Sequence, residues 1–97
     1  MISISKGKRH EQICNALNTI YINKNADYND SFAKARVEVP FYTLGKLYDK
    51  FERFKQLSKQ EHRRVDDETI EDTLLDLANY ASMDLIEREI ESEKDEV

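Results

Sequence analysis

Gly7, Pro40 and Gly45 are the only glycines and the only proline in a chain of 97 residues. A β-rich domain needs frequent tight turns, and turns draw on Gly and Pro, so this scarcity argues against an all-β fold and against low-complexity disorder. The apolar residues recur at helical spacing instead, which predicts a small all-α helical bundle. Ile13, Leu17, Ile20 and Tyr21 form one stripe over about residues 8–24. Asn23, Asn25, Asp27, Asn29 and Asp30 then crowd together. Asn and Asp bond their own backbone and favour turns, so the first helix is predicted to stop near Lys24. A short helical turn near residues 31–36 would carry Phe32 and Ala35 inward. Residues 37–40 read as extended, because proline pushes its predecessor out of the α region.

Two further main helices follow. Thr43 can cap one over about residues 43–59, in which Leu44, Leu47, Tyr48, Phe51, Phe54 and Leu57 make the 3–4–3 spacing of a buried face. Residues 58–64 are polar and read as a connector. Asp66 or Asp67 can cap the last helix, over about residues 67–91, with acids in its first turn complementing the macrodipole. Its stripe of Ile70, Leu74, Leu77, Ala81 and Leu85 is widened by Leu75, Ala78, Ile86 and Ile90. Three such helices in so short a chain leave a small core, one that contributes only ~3–5 kcal/mol of net stability. A homo-oligomer is therefore expected, with Leu75, Ile86 and Ile90 facing the partner. The predicted organisation is a single helical domain over residues 1–91 and an acidic flexible tail over residues 92–97.

Charge narrows the function classes. The net charge is −5, which opposes general nucleic-acid binding, since that affinity comes from a basic surface neutralising phosphates. The distribution is uneven. Residues 46–64 carry seven basic side chains against three acids, whereas residues 66–97 carry thirteen acids against Arg88 and Lys94. Such runs serve either as oppositely charged solvated faces or as basic and acidic walls around one polar ligand. The first residues lack an apolar signal region, and no apolar run reaches membrane-spanning length, so a cytoplasmic, non-membrane protein is expected. Cys14 stands alone, with no ligand spacing for zinc. His10 and His62 have no nucleophile at a recognisable spacing, and the two isolated glycines cannot build a phosphate loop.

Three polar clusters ask for an explanation. Asp72 and Asp76 lie four apart and share a helical face, which Glu68 extends by a turn; Asn79 sits at its edge. Like charges at this spacing are unfavourable, and Asp and Asn are poor helix formers, so the row suits an ion-pair network, a ligand or a cation. Asp49, Lys50 and Arg53 form the second cluster, in which Arg53 could clamp phosphate with its planar fork. Lys24, Asn25, Asp27 and Tyr28 supply the third.

Read together, the three clusters resemble the phage nucleotide modification associated domain 1 family. The carrying residues are Tyr21 through Tyr28 with Asp30, Ser31 and Phe32; Asp49 through Phe54; and Glu71, Asp72, Asp76, Asn79 and Tyr80. Asn29 stands where members usually have Gly, and Asn can hold the same left-handed turn. The resemblance implies a nucleotide context, and the first hypothesis is a phage protein that binds a nucleotide or nucleotide-derived small molecule, in nucleotide metabolism or by sequestering a defence signal. On this hypothesis Lys24, Lys50 and Arg53 are expected to meet phosphate, and Asp72, Asp76 and Asn79 to meet ribose or base. Asp27 would lie in the same site, and Tyr28, Phe32 or Tyr80 would stack on the base. No cofactor is expected on this reading.

The acidic helix is also similar, distantly, to MazG-type nucleotide pyrophosphohydrolases, which would imply Mg²⁺ on Glu68, Glu71, Asp72 and Asp76. Those enzymes place a second acidic pair on another helix. Here the first helix offers Glu11 with Cys14 at the pairing position, and a thiol is no ligand for Mg²⁺. Binding is thus favoured over hydrolysis. A protein-interaction module docking through the acidic helix is the third reading.

Overall fold

A computed structural model describes residues 3–28, 30–59 and 69–95, the side chains of 26–28 apart. Four helices follow one another: α1 (Lys6–Tyr28), α2 (Ser31–Glu38), α3 (Tyr42–Lys59) and α4 (Ile70–Asp95). No strand occurs among the described residues, as the breaker-poor sequence requires. They fall into two compact units, Met1–Ser31 and Phe32–Val97.

The first unit holds α1. Ser5 caps it: its hydroxyl accepts the Lys8 amide at 3.1 Å and its carbonyl accepts the Arg9 amide at 3.0 Å. The helix runs one turn past Lys24, where the Asn-rich stretch was expected to stop it. Each Asn or Asp costs a helix only some tenths of a kcal/mol, too little to end one that is already propagating. Past Tyr28 the chain turns left-handed at Asp30, with φ of 60°, a geometry that Asp tolerates.

In the second unit, the turn expected near residues 31–36 is a full helix of eight residues. Val37 and Glu38 are helical, not extended, and the Val39 amide still bonds the Ala35 carbonyl at 2.8 Å. Pro40 restricts only the residue before it, so α2 continues up to that point. Phe32 is buried, its ring 5.7 Å edge-on from Tyr42 and 6.2 Å from Tyr80. One aromatic side chain thereby joins α2, α3 and α4.

Thr43 does not cap α3. Phe41 holds that position, its carbonyl accepting the Gly45 amide at 3.0 Å. Its φ of 58° is strained for an aromatic residue. α3 packs along α4, burying Leu57 and half-burying Leu47 and Phe54. Leu44, Tyr48 and Phe51, expected on the same buried face, stay exposed. A single neighbouring helix covers a stripe little wider than 100°, and these three lie beyond it.

α4 opens with a capping box. The Thr69 hydroxyl accepts the Asp72 amide at 3.1 Å, and the Asp72 carboxylate accepts the Thr69 amide at 3.2 Å. The helix therefore starts at Ile70, three residues after the predicted start; Asp66 and Asp67, the predicted caps, lie outside the described residues, as do residues 60–64 of the connector. Glu71 and Asp72 occupy the first turn and complement the macrodipole as expected. The helix continues past Glu91 to Asp95. Of the flank expected to meet a partner, Leu75 and Ile86 are half-buried and Ile90 is exposed; Leu74 and Leu85 are exposed as well.

Candidate functional site

Two polar clusters sit in the second unit, and their chemistry differs. The first surrounds Asp84 on α4. Thr43 Oγ1 of α3 donates to Asp84 Oδ1 at 2.6 Å, and Arg36 Nε of α2 donates to the same oxygen at 2.8 Å. Arg88 Nε, one turn along α4, donates to Asp84 Oδ2 at 2.6 Å. Arg36 also reaches Glu91, Nη1 to Oε1, at 3.4 Å. Both acceptor oxygens of Asp84 are thus occupied. The hydroxyl of Thr43 and the guanidinium of Arg88, opposed by burial and helped by Arg36, hold the Asp84 carboxyl down to about 2. This cluster ties three helices together, and these hydrogen bonds all run within the fold.

The second cluster lies on the α3–α4 seam. Lys50 Nζ and Asp76 Oδ2 pair at 3.0 Å, both side chains about a quarter exposed. Arg53, one turn further along α3, is half-buried and engaged in interactions of its own. Asn79 follows Asp76 by three residues, so the two are neighbours on the surface of α4. It is 9% exposed, and among the described residues no side-chain nitrogen or oxygen is both buried and without a hydrogen-bond partner. Thr73, fully buried a turn and a half earlier, spends its hydroxyl on the Thr69 carbonyl at 3.0 Å. The amide of Asn79 offers two donors and two acceptor sites, three residues along α4 from Asp76.

The remaining candidates are placed as follows. Lys24 is exposed on α1, in the first unit. The side chains of Asp27 and Tyr28, and all of Glu68, lie outside the described residues. Phe32 and Tyr80 are brought together, but as core packing partners. Asp72 is committed to the capping box and Glu71 is exposed. Among the described residues no three acids, histidines or cysteines gather as a metal would need. Sequence reasoning passed over Arg36, Thr43 as a side-chain donor, and Asp84. The i,i+4 spacing of Asp84 and Arg88 was a readable signal. Nothing local linked either of them to Arg36, 48 residues away.

The profile of the nucleotide modification associated domain 1 family matches residues 24–87, about two thirds of the chain. The chain belongs to that family. No curated protein and no solved structure matches it significantly. The family's region contains the end of α1, all of α2 and α3, and α4 through Glu87, and so holds both polar clusters except Arg88 and Glu91. No described helix is long and apolar enough to cross a membrane.

Proposed function

We propose that the protein binds a nucleotide or nucleotide-derived small molecule on the α3–α4 seam of its second unit, in nucleotide metabolism or by sequestering such a molecule as a signal. The observation that carries this is the Lys50–Asp76 pair, about a quarter exposed on the seam, with Asn79 next to Asp76 on α4. Asn is a poor helix former, so a helix that keeps it at this interior position points to a use for it. An amide can donate and accept at once, which suits the edge of a base. Lys50 and Arg53 supply positive charge for phosphate, and Asp76 can accept from ribose hydroxyls. Family membership adds the nucleotide context. The carboxylate of Asp72 is spent on the cap of α4, which leaves Asp76 as the acid of the seam and favours binding over metal-assisted hydrolysis.

Calorimetric titration of the full chain against nucleoside mono-, di- and triphosphates and cyclic dinucleotides tests the reading. At least one should bind more tightly than millimolar. Asn79→Ala should then weaken it about tenfold or more, the loss expected for one or two hydrogen bonds, while thermal stability is retained. No binding below millimolar across the panel, or equal binding by the variant, refutes the proposal.

A further inference from the structure

The outer face of α3 is apolar and uncovered. Phe41 is 81% exposed, Leu44 64%, Tyr48 61% and Phe51 49%. The last three stand at i, i+4 and i+7 and form one stripe, with Phe41 at its N-terminal end. At roughly 200 Å² per large side chain these exposures amount to about 500 Å². That lies at the upper end of the ~300–600 Å² found for the largest patch on a monomer. Two details mark the face as adapted to contact. Phe41 is held outward by a left-handed backbone that an aromatic residue ordinarily avoids. Gly45 borders the stripe, one turn from both Phe41 and Tyr48, and a Cβ there would meet nothing within 4 Å. Alanine would favour the helix more, and no described residue requires the smaller side chain.

We propose that this face is the seat of a second copy of the chain, paired through the same surface on a two-fold axis. Area argues for it. Two such faces bring together about 1,000 Å² from these side chains alone, the threshold for a specific interface, before backbone and rim are added. Charge also permits it. An antiparallel pairing of the α3 helices centred on Tyr48 sets Phe41 level with the partner's Lys55, and Leu44 level with the partner's Glu52. No like charges then face each other across the stripe. Lys55 already lies 5.6 Å from the centre of the Phe51 ring, so an aromatic neighbour suits it. Gly45 would let the two backbones approach at the edge. The interface is thus on α3, not on the Leu75, Ile86 and Ile90 flank of α4 that the sequence suggested.

Size-exclusion chromatography with light scattering, on the full chain at rising concentration, reads the outcome directly. The wild type should approach about 23 kDa, twice the 11.4 kDa of one chain. Tyr48→Glu combined with Phe51→Glu should run at the mass of one chain, with far-UV circular dichroism unchanged, since both residues are exposed. Should that pair disturb folding, Gly45→Arg serves in its place, because its new side chain enters open space in the monomer. It should raise the dimer dissociation constant at least tenfold. A wild type that stays at one chain's mass to high concentration overturns the proposal. So does a folded variant, of either kind, that dimerises like the wild type.

Discussion

Replacing Asp84 with asparagine keeps the shape of the side chain and removes its charge at the point where α2, α3 and α4 meet. The carboxyl titrates at about 2 in the native state against 3.8 in its ordinary range, because Thr43, Arg88 and Arg36 all donate to it. At 1.36 kcal/mol per pH unit this lowering is worth about 2 kcal/mol of stability at neutral pH. The side chain is only 16% exposed, so solvent screening takes little of it. Because the native value is the depressed one, the unfolded chain takes up its proton first as acid is added. The stabilisation is therefore complete above about pH 5, falls to roughly half near pH 3, and is almost gone at pH 2. Thermal unfolding followed by far-UV circular dichroism at pH 7, 5, 3 and 2 should show Asp84→Asn about 2 kcal/mol less stable at pH 7. For a domain of this size that is a fall of about 8–16 °C in Tm. The gap between variant and wild type should close as the pH approaches 2. A variant within about 0.5 kcal/mol of wild type at pH 7, or a gap that keeps its size in acid, would refute the reasoning.

Two further substitutions test the supports of the seam. Thr69→Ala removes the cap of α4 and should cost about 1 kcal/mol, with faster hydrogen exchange confined to the first turn of that helix. Phe32→Ala removes the ring that touches Tyr42 and Tyr80. It should cost about 3–5 kcal/mol, enough that urea denaturation loses its cooperative transition near room temperature; a midpoint lowered only slightly would show that α2 docks by other contacts.

The all-α class was legible because it depends on local quantities: the scarcity of Gly and Pro, the 3–4 spacing of apolar residues, and the acids at the start of α4. Helix ends were less legible. Thr69 with Asp72 is a capping box that can be read three residues apart, yet the acids just before it offered competing caps. The end of α1 was misjudged because Asn and Asp favour turns by amounts that a long helix absorbs. Of the candidate site, the pairing of basic α3 with acidic α4 was foreseeable from charge alone, and Lys50 with Asp76 realises it.

Other features were decided only by tertiary contact. Phe32 and Tyr80 read as ring systems that could stack on a base, and packing made them each other's neighbours. Leu44, Tyr48 and Phe51 obey the same periodicity as Leu57, and only the position of α4 determines which side is covered. Asp84 is one acid among thirteen after residue 65 until α2 delivers Arg36 to it. The physical reason is range. Propensity, capping and amphipathic spacing act within a few residues and are written in the chain, whereas burial and charge pairing depend on partners that folding alone brings within 3 Å.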